Sequence, residues 1–277
     1  MTGVGAVSFS MMSSFLGLIS RPILKCLIPN KGDEYAYEKK IKKATSNVVG
    51  IVYFSISTYW GWHMMKNSTW LPTYLGGLNP QGSIEASVVS QFIVIPAGCH
   101  CYILFTYGYH VQKFLEHLMI AIDDRDNDWR EMFIHHVASM SLYPGFLFGN
   151  IIGVGVVLAW LHDIADIFVN ITRLFNVLDL KVPTLAAYLV MVAVWAYTRL
   201  YILPFYIYKI SVELNWPDHL SHFAPLKWLE LVFLMVMQLL HIYWFGLFMK
   251  IGYRALTKGE LKDVINTIEE STDKKQQ

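Results

Sequence analysis

Two histidines and two aspartates stand inside apolar stretches of this chain. His135 and His136 close the run Trp129-Arg130-Glu131-Met132-Phe133-Ile134-His135-His136, and Asp163 and Asp166 lie in Leu161-His162-Asp163-Ile164-Ala165-Asp166. Imidazole is the side chain that changes charge near neutral pH, so it serves as a general base or as a nucleophile toward a carbonyl. A nearby carboxylate fixes its tautomer and stabilises the imidazolium. The same groups together with His162 could instead hold a transition metal. Ionisable groups at membrane depth cost several kcal/mol each, which makes them site candidates if their segments span a bilayer.

Composition supports spanning. Of 277 residues, 55% are hydrophobic and only 16% charged, whereas a soluble domain carries about a quarter charged. Apolar windows lie near residues 47 to 65, 87 to 109, 129 to 149, 151 to 173, 184 to 208 and 226 to 249. Each approaches or exceeds the roughly 20 residues that cross the hydrocarbon. Residues 4 to 20 are a shorter seventh candidate, readable also as a signal peptide, although no basic stretch precedes them.

The expected fold class is therefore an all-α integral membrane protein of about seven transmembrane helices. Charge placement gives an orientation. Lys and Arg number seven in residues 21 to 46, three in 110 to 130, two in 173 to 181 and six from Lys250 onward. The opposite side has only Lys66, Lys209 and Lys227, with Arg199 inside a span. By the positive-inside rule the N-terminus is lumenal and the C-terminus cytosolic. The sequon Asn67-Ser68-Thr69 falls on the lumenal side, and Lys274-Lys275 near the chain end reads as an address for the endoplasmic reticulum.

Other chemistries find little support. Cys26, Cys99 and Cys101 are too few for a disulfide framework and read as packing residues. A net charge of +1 gives no nucleic-acid footprint, and no phosphate-binding glycine loop is present. Membrane oxidases carry several clustered histidine boxes; here only His219-x-x-His222 has that spacing, on a separate loop.

Helical geometry tests whether the polar residues share a site. If residues 129 to 149 and 151 to 173 are antiparallel neighbours, His135 is level with Asp166 and His136 with Asp163. At about 1.5 Å per residue, His135 lies roughly 9 Å in from Trp129 and Asp166 roughly 10 Å in from Arg173. His162, Asp163 and Asp166 would share a face, while His135 and His136 diverge by about 100°. Arg199 and His241, also intramembrane, are either site members or interhelical hydrogen-bond partners.

The run from Asp128 through Asn176, with its double His and Leu-His-Asp-x-x-Asp, resembles the signature of ceramide synthases within the TLC-domain membrane family. The similarity extends to residues 38 to 43, Tyr197 to Leu200 with Leu203-Pro204-Phe205, Gln238 to Trp244, and the tail from Lys258 to Glu270. It implies a sphingoid-base N-acyltransferase of the endoplasmic reticulum that joins a fatty acyl group from acyl-CoA, as co-substrate, to a long-chain base. No cofactor and no metal is implied. Six helices would form a TLC-type barrel around a lipid chamber. The organisation becomes an N-terminal anchor and linker over 1–37, a catalytic membrane domain over 38–252 and a polar cytosolic tail over 253–277.

Carried over by position, the catalytic residues fall on His135, His136, Asp163 and Asp166. His162, Arg199, His241, Trp129 and Arg130 are candidates for substrate contacts, and basic residues such as Lys39, Lys40, Lys42, Lys43, Arg125 and Arg173 for the CoA phosphates. The chemistry fits: a long-chain base is an ammonium ion that must lose a proton before attacking a thioester. Partners implied are acyl-CoA, the long-chain base and membrane lipid, with homo- or hetero-oligomers compatible and nucleic acid excluded. The chain departs from the family pattern with Ala165 for a usual serine, Val169-Asn170 for a common Leu-Glu, Arg173 for lysine, and Pro96 and Gly98 in a normally aromatic span. Two other readings stay open: a non-enzymatic lipid sensor or translocation-associated member of the wider family, and a metal-dependent lipid oxidase.

Overall fold

A computed structural model of the protein describes residues 2–30, 32–89, 98–120, 128–215 and 224–258, with side chains from residue 12 onward. Lys31, Pro96, Arg125, the His219/His222 pair and the tail from residue 259, with its Lys274-Lys275, lie outside the described residues. Among the described residues the secondary structure is helical throughout, without strands. The helices are α1 (Thr2–Leu27), α2 (Glu34–Met65), α3 (Ile84–Val89), α4 (Cys99–Leu118), α5 (Trp129–Phe148), α6 (Ile152–Val177), α7 (Lys181–Trp195), α8 (Leu203–Glu213) and α9 (Ala224–Lys258). A 3-10 turn (Thr73–Leu75) precedes α3, and a π-helical segment (Ala196–Ile202) joins α7 to α8.

The apolar windows read from the sequence fall on α1, α2, α5, α6, the continuous α7–α8 rod and α9; the window at 87 to 109 is interrupted by residues outside the description. Among the described residues three helical stretches are both long and apolar enough to cross a membrane: Ile152–Val177, Lys181–Glu213 and Ala224–Thr257. α2 and α5 fall short of that standard because Ser, Thr, Tyr, Trp and His replace aliphatic residues along them. That dilution puts the polar side chains where the bundle needs them.

α6 is the central rod. At 26 residues it is about 39 Å long, more than the hydrocarbon thickness. It packs along α2 on one side and α7 on the other, while α5 packs more closely on α9 and α4 than on α6. The Ile152 end of α6 is sealed: residues 151 to 161 are all buried, in the largest apolar cluster. Small residues set this seal. A Cβ on Gly155 would strike the Phe146 ring at 2.6 Å, and one on Gly61 would meet the Trp160 ring at 2.8 Å. From Asp166 to Asn176 the same helix is only half-buried and faces a cavity.

Local chemistry fixes the helix ends that matter. Asp33 caps α2 by accepting from the Ala36 amide at 3.0 Å. The α5–α6 turn places Asn150 at φ 53°, a left-handed position that Asn tolerates. Pro204 has no N–H to offer the Leu200 carbonyl, so the rod widens there and the Leu203 amide reaches back five residues to Thr198 O. The wider turn directs Arg199 into the bundle, 2% exposed, while Tyr197 and Tyr201 stay outside.

Candidate active site

One cavity of about 380 Å³ penetrates the bundle from the Val177 end of α6. Its polar lining comes from α2 (Ser46, Asn47), α4 (His110, Lys113), α5 and the residue that precedes it (His135, His136 and Asp128) and α6 (Asp166, Asn170, Arg173, Asn176), interspersed with Phe54, Tyr109, Met132 and Val169. Its opposite wall is largely apolar, from α7 (Tyr188, Met191, Trp195) and α9 (Trp244, Leu247, Phe248). Arg199 lies on the lining at the deep end. Imidazole, carboxylate and guanidinium therefore meet beside an apolar slot, at the closed end of a polar-mouthed tunnel.

His135 and His136 diverge as helical spacing requires. The His135 ring lies 5.5 Å from Trp244 on α9, and the His136 ring 5.3 Å from His117 on α4. Each Nδ1 is buried without a hydrogen-bond partner, which leaves each Nε2 as the nitrogen with accessible surface, and both residues line the cavity. An Nε2 free of protein partners is the geometry a base or nucleophile needs.

The aspartates do not act as one pair. Asp166 accepts from the Arg199 guanidinium at 2.7 Å and still leaves 28% of its side chain exposed on the cavity. Arg199 also donates to His162 O at 2.9 Å and stacks on Trp195 at 3.9 Å. Asp163, 2% exposed, turns to the far side of α6, where it accepts from Ser57 of α2 and from the Tyr102 hydroxyl at 3.5 Å. The expected four-residue cluster is corrected in this respect: Asp163 is off the cavity lining, and neither imidazole is hydrogen-bonded to either carboxylate. Residues three apart on a helix are still displaced by about 60°, and Ser57 and Arg199 draw the two carboxylates further apart.

The substrate-contact candidates divide in the same way. Arg199 lines the cavity; His162, His241, Trp129 and Arg130 do not. His162 donates through Nδ1 to Leu158 O at 2.7 Å, so its Nε2 accepts from His241 Nε2 at 2.9 Å. That bonding leaves His241 Nδ1 unprotonated, buried and unpartnered. Trp129 stacks on His117 at 4.8 Å, and Arg130 points outward from the first turn of α5. Among the described residues no group of three or more His, Cys, Asp or Glu side chains is arranged to hold a metal ion.

The sequence model described as the TLC domain matches residues 43–250, which takes in nearly every residue lining this cavity. The chain belongs to the TLC-domain family. Among similar proteins, this TLC-domain chain is 28% identical over 172 residues to human ceramide synthase 5, covering 60% of this chain and 43% of that protein. It is 24% identical over 254 residues to the ceramide synthase hyl-1 of Caenorhabditis elegans, covering 87% and 65%. It is 22% identical over 252 residues to the ceramide synthase LOH2 of Arabidopsis thaliana, covering 88% and 80%. The chain thus spans less than two thirds of the length of the first two relatives.

Several residues of this TLC domain escaped the sequence reading. Ser57 and Tyr102, which hold Asp163, look like ordinary polar residues of an apolar helix. Asn47 is 92% buried on the cavity lining, and Gly50 is the space that admits Asn170. Glu230 of α9 lies against Gly145 of α5 with both carboxylate oxygens buried and unpartnered. Only Glu230 left a readable signal, being an acidic residue inside an apolar window.

Proposed function

We propose that the protein joins the fatty acyl group of an acyl-CoA to the amine of a sphingoid long-chain base, forming a ceramide or dihydroceramide. One observation carries this reading: a base-capable imidazole, His135, stands with Asp166 and Arg199 at the closed end of a cavity that has one apolar and one polar wall. Such a cavity suits a reaction between two lipids with polar reacting ends. Burying each methylene of a chain against the apolar wall contributes about 0.8 kcal/mol. The relatives' names agree with this substrate class.

Two routes use the same atoms. In the covalent route, His135 Nε2 attacks the thioester carbonyl, the C–S bond breaks, and the thiol leaves with a proton. The amine then attacks the acyl-imidazole, the amide bond forms and the imidazole is released. In the direct route, His135 removes the ammonium proton and the amine attacks the thioester itself. His136 is the partner base on the same wall. Asp166, held by Arg199 yet partly exposed, is the group that attracts the ammonium, and Asp163 is a positioning residue that ties α6 to α2 and α4.

The proposal includes seven membrane-spanning segments with a lumenal N-terminus, six of them around the chamber, in the endoplasmic reticulum membrane. The cavity mouth then opens to the cytosol, where acyl-CoA is available, and the tail from residue 253 is cytosolic. Lys113 and Arg173 at that mouth suit the CoA phosphates.

The test is turnover by purified, reconstituted protein given sphinganine and acyl-CoAs of graded chain length, with the amide product read by mass spectrometry. Amide formation with at least one chain length is expected. Lipid binding without amide product at any length would favour the non-enzymatic sensor reading instead.

A further inference from the structure

The mouth of the cavity is not simply charged. From one turn above Asp166 up to the level of Arg173 the lining also carries two carboxamides, contributed by facing helices. Asn47 of α2 is 92% buried, lines the cavity, and has no side-chain hydrogen bond among the described residues. Asn170 of α6 spends one N–H on Asp166 O at 2.7 Å, while its Oδ1 accepts from nothing and lies over the bare Cα of Gly50. Both carboxamides border the cavity with donors or acceptors that no protein group takes up, so those atoms are open to a ligand that enters it.

The spacing identifies the ligand's chemistry. Along α6, Asn170 is one turn above Asp166 toward the mouth, about 6 Å, and Arg173 is about 10 Å above it. Gly50 faces Asn170, and Asn47 is three residues nearer the mouth on α2, so Asn47 lies about 10 Å from the level of Asp166. An extended pantetheine arm carries its first amide about 5 Å from the thioester sulfur, its second about 10 Å away, and phosphate beyond, by ordinary bond lengths. Carboxamide side chains pair with amides through one donor and one acceptor, a match that neither a fatty chain nor a phosphate offers.

We propose that Asn170 and Asn47 form a subsite for the pantetheine arm of the acyl donor, Asn170 facing the amide nearer the thioester and Asn47 the farther one. This deepens the acyltransferase reading and rests on it for the position of the thioester. The subsite recognises the arm, not the acyl chain, and it makes the donor an acyl pantetheine thioester in preference to a free fatty acid or a simple ester. Gly50 makes the close approach of Asn170 to α2 possible.

The test uses a series of palmitoyl thioesters: of CoA, of pantetheine, of N-acetylcysteamine, which keeps only the nearer amide, and of mercaptoethanol, which has neither. For wild-type protein, KM is expected to rise about tenfold with each amide removed, a comparison that needs no variant to fold. Asn170→Leu should raise KM for the first three donors and leave the mercaptoethanol thioester unchanged. Asn47→Leu should affect only the CoA and pantetheine donors. Equal changes for all four donors, or a rise confined to the KM of the amine substrate, would overturn the subsite while leaving the acyltransferase reading intact. Equilibrium binding of palmitoyl-CoA and of the mercaptoethanol thioester, measured without the amine, separates the converse case. Amide-dependent binding with no turnover would sink the catalytic reading and keep the subsite.

Discussion

Arg199 and Asp166 form an ion pair at 2.7 Å, and Arg199 is 97% buried at its side chain while Asp166 keeps an exposed edge on the cavity. The pair exists because the π-helical turn before Pro204 directs Arg199 inward onto α6. Position 199 in a regular α-helix would point elsewhere. The ion pair thus links a backbone irregularity to the electrostatics of the site.

Removing one partner leaves the other charge buried and uncompensated, which destabilises by about 3–5 kcal/mol. Asp166→Leu, which strands the buried Arg199 guanidinium, is therefore expected to lower thermal stability in detergent sharply. The double variant Arg199→Met/Asp166→Leu should recover most of that loss and remain inactive. A double variant as unstable as the single one would show that the pair does not dominate packing here.

If His135 is acylated during turnover, protein incubated with acyl-CoA and no long-chain base should carry one acyl group on a peptide from α5. Addition of the base should discharge it as amide. An adduct on another residue contradicts the covalent route at His135, and rapid turnover with no adduct under any quench assigns the direct route.

The sealed end of the bundle depends on Gly155 receiving the Phe146 ring. Gly155→Ala is expected to destabilise by about 1–3 kcal/mol through overpacking. Phe146→Leu in the same chain should relieve part of the clash, so the two changes should be non-additive in a double-mutant cycle. Strict additivity would mean that the two side chains do not meet.

At the mouth end, Glu38 of α2 is hydrogen-bonded to Lys25 at 2.6 Å and paired with Arg21, both of α1. These partners, Lys25 first, hold the Glu38 carboxyl below its ordinary range. A depressed carboxylate contributes its attachment above the unfolded pKa and loses it as pH falls through the folded one. Protease cleavage of the linker between α1 and α2 should therefore stay constant from neutral pH down to about 4.5 and increase only below it, and high salt should mimic the acid effect. Increased cleavage already near pH 6 would contradict this assignment.

Much of the fold was legible because hydrophobic length and period report helices directly. The double histidine of α5 and the Arg199 and Asp166 positions were legible because ionisable groups are rare in such windows. What the sequence could not show was direction. Asp163 and Asp166 share a motif, yet Ser57 draws one away and Arg199 holds the other on the cavity. The π turn at Ala196–Ile202 hides in a periodicity that looks α-helical, with Pro204 as its one local mark. Asn47 and Asn170 carry no charge and repeat at no motif spacing, so their shared place on the cavity lining emerges only from packing. Trp129 looked like a substrate contact by adjacency to the histidines, although its ring stacks on His117 of α4 and is not part of the cavity lining.

In the proposed reaction, amide formation occurs at His135. The most direct test is the single-turnover rate of His135→Ala, in reconstituted protein whose helix content and thermal transition match wild type, with sphinganine and acyl-CoA saturating. A rate at least about a hundredfold below wild type is expected, with acyl-CoA binding retained. Turnover within a few-fold of wild type would contradict a reaction at His135.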